Sequence, residues 1–131
     1  MGTYNEKRYA ADLDKLAIGQ HQHFVVNGVG CVIYRHRLGY LTGYVVIDVA
    51  LNTDYEALFE VHGGVTYQGR LDEVVNVSGL SGYCIGFHAD HANDWSPACR
   101  EGMYRDYDYI HNELTSLARQ YAAWKKQFVN V

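Results

Sequence analysis

The residues able to do chemistry are concentrated between Val61 and Pro97. This stretch holds Val61-His62-Gly63-Gly64-Val65-Thr66-Tyr67 and, further on, Gly82-Tyr83-Cys84-Ile85-Gly86-Phe87-His88-Ala89-Asp90-His91-Ala92-Asn93-Asp94-Trp95. Three of the seven histidines fall here, with the chain's one adjacent glycine pair and a dense mixture of aromatic, carboxylate and amide side chains. A core selects apolar groups and avoids unpaired polar atoms. A small-molecule pocket selects an aromatic wall with a few convergent donors and acceptors, which is the mixture found.

Two chemistries fit these residue types. A small metal-dependent phosphodiesterase or hydrolase would use His88, Asp90 and His91, with His62 and Asp94 as further ligands, because a catalytic zinc takes three protein ligands plus water and a closed site takes four. His88-Ala89-Asp90-His91 resembles part of the HxHxDH signature of metallo-β-lactamase-fold hydrolases, but Gly86 stands where the first histidine belongs. That fold also needs a longer chain. A Cys84 nucleophile would need a base and a depressed pKa; its place beside Ile85 in a strand reads as an inert buried thiol. A binding site asks less of the residues. Phe87, Trp95 or Tyr67 would stack on a base while histidine, asparagine and aspartate read its edges. Gly63, Gly64 and Gly86 remove side chains where a ligand or another backbone approaches. Arg35, Arg37, Arg70, Arg105 or Arg119 would take the phosphates. Together these suit a nucleotide better than a sugar or a lipid, without catalysis, metal or cofactor.

Composition narrows the partners. The 131 residues carry 15 carboxylates against 11 Lys and Arg, a formal net charge of -4. One domain spanning 1–131 is the size expectation. The acidic balance argues against a DNA- or RNA-binding face, and no apolar run reaches the roughly 18–20 residues of a membrane span. Nor does the N-terminus carry a secretory apolar block, so a cytosolic protein is expected. Cys31, Cys84 and Cys99 are odd in number without CxxC spacing, which disfavours a disulfide framework. Twelve tyrosines against four phenylalanines supply rings whose hydroxyls remain paired or wet, as at interfaces and ligand walls or in a small tyrosine-rich core.

The elements that must position these residues read in order. Asn5 caps a short helix with Tyr9, Leu13 and Leu16 on one face, ended by Gly19. His21-Gln22-His23 opens a strand; its two histidines share one face, either as exposed polar groups or as metal ligands. Asn27-Gly28 between two β-branched runs is a type I′ hairpin turn. The second strand ends in Tyr34-Arg35-His36-Arg37, a cationic cluster that reads equally as a solvated strand end or a phosphate clamp. Tyr44 to Val49 forms a buried strand, and Leu51 to Glu56 a polar connection. A strand resumes over Leu58-Phe59-Glu60-Val61, bends at His62-Gly63-Gly64, and continues through Val65-Thr66-Tyr67-Gln68. A short strand over Glu73–Val77 follows. The last strand, Tyr83 to His88, places Tyr83, Ile85 and Phe87 on one face and Cys84, Gly86 and His88 on the other, and runs into a functional loop from Ala89 to Gly102. Met103, Tyr107, Ile110, Leu114, Leu117, Tyr121, Trp124 and Phe128 then recur at spacings of four and three, the stripe of a long helix of roughly 35 Å packed on a sheet. The expected fold is α+β: a bent antiparallel sheet of five to six strands, a short N-terminal helix and a long C-terminal helix.

Gly43-Tyr44-Val45, then Val61-His62-Gly63-Gly64-Val65-Thr66-Tyr67, then Ile85-Gly86-Phe87 with Ala89-Asp90-His91-Ala92-Asn93-Asp94, then Tyr104-Arg105, Tyr109-Ile110, Asn112-Glu113 and Leu117-Ala118 resemble, in that order, a family of small phage proteins. Its best-known members are the type-one Thoeris anti-defence proteins, sponges for the cyclic ADP-ribose isomers that bacterial TIR enzymes make. Some members also sequester cyclic trinucleotides at separate sites in a hexamer. The resemblance spans roughly residues 40 to 120. Phe87, His91 and Asp94 match the family's pattern; His88, Ala89, Asp90 and Asn93 depart from it, His88 replacing a carboxylate. The resemblance implies Phe87 as the stacking platform, with His91 and Asp94 shaping the loop around base or ribose. Arg105 would meet phosphate at the helix N-terminus, and Arg37 and Arg119 would line a trinucleotide pocket at a subunit junction. His88, Asn93 and Tyr67 complete the expected ligand set. The partners implied are cyclic ADP-ribose isomers, cyclic di- or trinucleotides and further copies of the chain, from dimer to hexamer. The setting implied is the cytoplasm of an infected bacterial host.

Overall fold

A computed structural model describes residues 4–48, 53–75 and 80–129. Helix α1 (Tyr4–Asp12) leads into a five-stranded antiparallel sheet built from β1 (His21–Val26), β2 (Val29–Arg35), β3 (Leu41–Ile47), β4 (Tyr67–Arg70) and β5 (Tyr83–His88). The strand order is β1-β2-β3-β5-β4, so β5 crosses back between β3 and β4. A helical turn, α2 (Tyr55–Leu58), lies between β3 and β4. Two short strands, β6 (Asp94–Trp95) and β7 (Met103–Tyr104), pair in parallel beyond β5 and lead to the 23-residue helix α3 (Tyr107–Val129). No described helix is long and apolar enough to cross a membrane.

The Asn-Gly cue at 27–28 forms the expected turn: Asn27 and Gly28 both have positive φ, 51° and 78°, and Val26 pairs with Val29. A type I′ turn is favoured there because its twist matches that of the flanking strands. Strand alternation then sorts the side chains. Cys31 and Ile33, Val45 and Ile47, and Ile85 and Phe87 join Ile110, Leu114, Leu117, Ala118 and Tyr121 of α3 in one core. Val32, Tyr44 and Cys84 face the other side and pack with Leu71 and Val75. The helix stripe is therefore the packing face it was expected to be. Met103, however, belongs to β7 and is exposed.

Several local expectations are corrected. Asn5 does not cap α1. It lies inside the helix, its amide donates to Gly102 O (2.9 Å) and its side-chain oxygen accepts from Tyr104 N (3.0 Å), tying α1 to β7. The anticipated strand at Leu58–Val61 is instead α2 and the extended residues after it. Asp54 accepts from Ala57 N (3.3 Å) and wins that segment for a helical turn. Leu71–Glu73 form a 3-10 turn where a strand over Glu73–Val77 was expected. Residues 76 and 77 of that expectation, Val49 of the strand expected from Tyr44, Leu51 and Asn52 of the polar connection and the side chain of Phe128 lie outside the described residues.

The cationic run at the end of β2 divides. Arg37 is exposed, whereas the Arg35 side chain is 0% exposed. Arg35 donates to Leu16 O (2.8 Å), Gly39 O (3.0 Å) and the Tyr104 hydroxyl (2.7 Å) and pairs with the Asp12 carboxylate at 3.4 Å. Asp12 also accepts from the Tyr104 hydroxyl and from Tyr107 N. Neither phosphate clamp nor solvated strand end describes Arg35; it is a buried cross-brace joining α1, β2, β7 and α3. Removing one member of a buried pair strands the other charge at a cost of about 3–5 kcal/mol. Asp12→Ala is therefore expected to lower the unfolding free energy by about that amount, read as a lower urea midpoint at an unchanged m-value, and a midpoint equal to wild type would show that the brace carries no stability.

Candidate functional site

The His62-Gly63-Gly64 turn, the loop after β5 and the start of α3 meet at one carboxylate. The side chain of Asp94 is 1% exposed. It accepts from His62 Nε2 (2.9 Å to Oδ1, 2.8 Å to Oδ2), from His91 N (3.1 Å) and from Arg105 Nε (2.9 Å). A carboxylate only accepts, so the hydrogen on this edge of the ring sits on His62 Nε2. His62 Nδ1 meets the Tyr109 hydroxyl at 2.9 Å, and His62 N donates to Glu113 Oε1 (2.8 Å). Both nitrogens of the imidazole are engaged, Nε2 by the Asp94 carboxylate and Nδ1 by the Tyr109 hydroxyl, so the ring ties the turn before β4 to the loop after β5 and to α3.

Arg105 is the exposed end of this network. Its guanidinium lies over the Tyr109 ring, 5.5 Å from the centroid, and its side chain is 24% exposed. One edge is fixed by Asp94, Nη1 approaches Met103 Sδ at 4.0 Å, and Nη2 has no hydrogen-bond partner among the described residues. The group borders a cavity of about 190 Å³ that Tyr4, Asn5, Arg8, Met103 and Tyr109 also line. Arg8 pairs with Asp106 beside it. Burial, and after it the Glu113 carboxylate, raises the Tyr109 hydroxyl above the ordinary tyrosine range, so it remains a neutral donor at neutral pH.

The sequence-derived ligand set is brought together only in part. His91, Asp94 and Arg105 converge; Asn93 lies in the same loop but faces solvent, with φ 73°, and its carbonyl accepts from Met103 N (2.8 Å). Phe87 is corrected. It is 0% exposed, lies opposite Gly43 in the β3–β5 register and packs under α3, so it is core and not a shelf for a base. Tyr67 and His88 occupy the opposite face of the sheet, where His88 Nε2 meets the Tyr44 hydroxyl at 3.3 Å and the Tyr67 hydroxyl donates to Arg70 O (2.7 Å). Arg37 is exposed on the turn between β2 and β3. Arg119 lies on α3 in a separate cavity of about 590 Å³ with Asn27, Lys125 and Lys126. Two of the three glycines read as room for a ligand or another backbone make room for this chain's own rings: a side chain on Gly63 would overlap the His91 imidazole, and one on Gly86 the Tyr44 ring, while Gly64 borders open space.

Two further expectations change. The N-terminus of α3 is not open to phosphate: Tyr107 N donates to Asp12 (2.7 Å) and Tyr109 N to Asp106 (2.9 Å), so carboxylates of this chain occupy it. His88, Asp90 and His91 do not assemble a ligand set either, and among the described residues no three His, Cys, Asp or Glu groups are arranged to hold a metal. His88 turns toward Tyr44 while the His91 ring sits against Gly63 and His62. The Cys84 thiol is buried and pushed up to about 12, consistent with an inert group. His62, Tyr109 and Glu113 are the site members that the ligand set omitted. Positions 105, 109 and 113 repeat at intervals of four, beside the apolar stripe at 110, 114 and 117; that repeat was the available signal for the last two.

No family model, curated protein or solved structure matches the chain.

Three measurements follow from this geometry. Phe87→Ala is expected to lose about 3–5 kcal/mol in chemical denaturation, as an aromatic removed from a packed core does. Gly63→Ala meets both a φ of +69° and the His91 ring; a shifted His91 imidazole resonance and a lowered melting temperature are expected. Burial holds the His88 imidazole below the ordinary histidine range, His91 and His36 adding repulsion against the opposing pull of Asp90. The unfolded chain takes up that proton near pH 6.5 and the folded chain resists it, so folding stability falls as pH drops through about 6.5. In His88→Gln that fall should be shallower; an unchanged slope would assign it to other groups.

Proposed function

We propose that this protein is a non-catalytic sponge for cyclic ADP-ribose-type signals, the molecules made by TIR enzymes, in the cytoplasm of an infected bacterium. The observation that carries the reading is Arg105: its guanidinium is aimed by a buried carboxylate, laid on the Tyr109 ring, and left with Nη2 unpartnered among the described residues, in a residue that lines a cavity. A guanidinium fixed in this way is suited to phosphate, and the neighbouring Tyr4, Tyr109 and Met103 are suited to a base or ribose. Mass action alone is enough for such a role. Nanomolar affinity is about 12 kcal/mol of binding free energy, and an abundant binder at that affinity depletes a messenger without cleaving it.

The cavity of about 190 Å³ is below the about 300–1,000 Å³ of most small-molecule sites. A whole cyclic ADP-ribose would therefore fill it with one phosphate-bearing portion and extend past Arg105 toward solvent or a second copy of the chain. Self-association, from dimer to hexamer, is part of this reading, as is capture of cyclic di- or trinucleotides at a separate place. The acidic chain, with net charge -4, favours neither DNA nor RNA as partner.

The test is a titration with a panel of cyclic ADP-ribose isomers and cyclic oligonucleotides, read by native mass spectrometry, followed by heat denaturation and assay of what is released. Intact ligand in stoichiometric amount is the expected result. Linearised product, or a panel in which nothing binds, would overturn the reading. Arg105→Ala removes a charged hydrogen bond worth about 1.5–3 kcal/mol, so affinity should fall roughly ten- to a hundredfold. Arg37→Ala, outside the lining of the Arg105 cavity, should leave binding of the cyclic ADP-ribose isomer unchanged.

A further inference from the structure

The two edges of the main sheet are finished differently. β4 is four residues long, contains Gly69, ends at Arg70 paired with Asp72, and its Gln68 amide donates to Thr53 O (3.0 Å). Shortness, charge and a covering loop are the usual defences of an exposed edge. β1 has none of them. His21-Gln22-His23-Phe24-Val25-Val26 contains no lysine, arginine, carboxylate, proline or glycine, and Val25 is 62% exposed.

The direction of its main-chain groups follows from the hairpin. Val26 and Val29 flank the two-residue turn, and at the far end Arg35 N donates to Gln20 O (3.0 Å). Hydrogen-bonded and non-bonded pairs alternate along an antiparallel ladder, so Gln20, Gln22, Phe24 and Val26 direct their N–H and C=O groups to β2. His21, His23 and Val25 direct theirs away from the sheet, and no described residue bonds them.

From this we infer that β1 is a self-association edge, which pairs antiparallel with β1 of a second copy about a two-fold axis normal to the sheet and centred on His23. With a second copy as occupant, the pattern of outward groups selects the register. Residues 21, 23 and 25 are symmetric about 23, so in that register His21 lies opposite Val25 of the second copy and His23 opposite its own equivalent, and every outward N–H and C=O finds a partner. A two-fold in this direction keeps both α3 helices on one side and joins the two five-stranded sheets into one. A register centred on Phe24 would leave the His21 groups unpaired. No charged side chain opposes another across the seam, so the chain's net negative charge is not concentrated there. The contact is one strand wide, and the dimer is accordingly concentration-dependent. This inference names a surface for the self-association proposed above and rests on it, but not on the ligand.

Sedimentation velocity over a concentration series tests it on the full chain. Wild type is expected to show a monomer–dimer equilibrium. Val25→Pro removes only an outward N–H, leaving the bonds to β2 in place; each copy loses one donor, and the dissociation constant should rise about tenfold or more. Far-UV circular dichroism confirms that the variant is folded, and Val25→Lys supplies a second edge block that keeps the N–H. In a Cys99→Ser background, His23→Cys should form a covalent dimer on mild oxidation, because hydrogen-bonded antiparallel pairs hold Cα atoms about 5.5 Å apart. His21→Cys, facing Val25 of the second copy, should not. A monomeric wild type would end both this inference and the proposed self-association. A dimer that survives both edge variants, or His21→Cys crosslinking as readily as His23→Cys, would end this inference alone and send the self-association to another surface.

Discussion

A buried carboxylate has to be surrounded by donors, and in this protein that constraint organises the whole end of the molecule where the candidate site lies. Asp94 is almost fully enclosed, yet it accepts from His62, His91 and Arg105, which arrive from the turn before β4, the loop after β5 and the residues before α3. Left without those donors, an ionised carboxylate at that depth would cost far more than any single contact in the loop returns. The loop from Ala89 to Gly102 is therefore shaped by what Asp94 needs. Asp12 plays the same part nearby, accepting from Tyr104 and Tyr107 N while paired with Arg35. The two carboxylates together fix where β7 ends and α3 begins, and so fix Arg105 between them.

The same constraint separates positioning groups from groups available to a ligand. His62 has both ring nitrogens engaged, Asp94 has no exposed oxygen to offer, and His91 packs its ring on Gly63. The polar side-chain atoms of His62 and Asp94 are committed to partners, whereas His91 Nε2 is buried without a hydrogen-bond partner among the described residues. Arg105 is the member that spans inside and outside: one edge is neutralised by Asp94, a face lies on Tyr109, Nη2 has no partner among the described residues, and the residue lines the cavity. A guanidinium pre-oriented in this way loses little further freedom on meeting an anion, which is how rigid sites gain affinity from few contacts.

The sheet contributes rigidity and a division of labour between its faces. The face under α3 is sealed by aliphatic and aromatic side chains, Phe87 among them, while the other carries Tyr44, Tyr67 and His88 around Leu71 and Val75. Glycines at 43 and 86 admit neighbouring rings close to the backbone instead of admitting a ligand. The polarity of a side chain in sequence is thus a poor guide to whether it meets solvent here, because tyrosine and histidine are used on both sides of the boundary.

What the sequence determined by itself was local and periodic. Asn27-Gly28 required a turn with two positive φ angles, alternation in the strands sorted Ile85 and Phe87 from Cys84 and His88, and spacings of four and three set the buried face of α3. Part of the candidate site was also legible, since His91, Asp94 and Arg105 fall in motifs that stand out in the chain, whereas Tyr109 and Glu113 do not. Tertiary structure alone decided how deep each lies and whom it bonds. Nothing local distinguishes Arg35, sealed by Leu16, Asp12 and Tyr104 from 19 to 69 residues away, from Arg37 on an open turn two positions on. Nor does anything local mark Phe87 as core, Asp12 as the occupant of a helix N-terminus about 95 residues distant, or β1 as an open edge. Burial and long-range pairing are properties of what packs against a residue, and side-chain type and spacing carry that information only where one element's period is strong enough to dictate it.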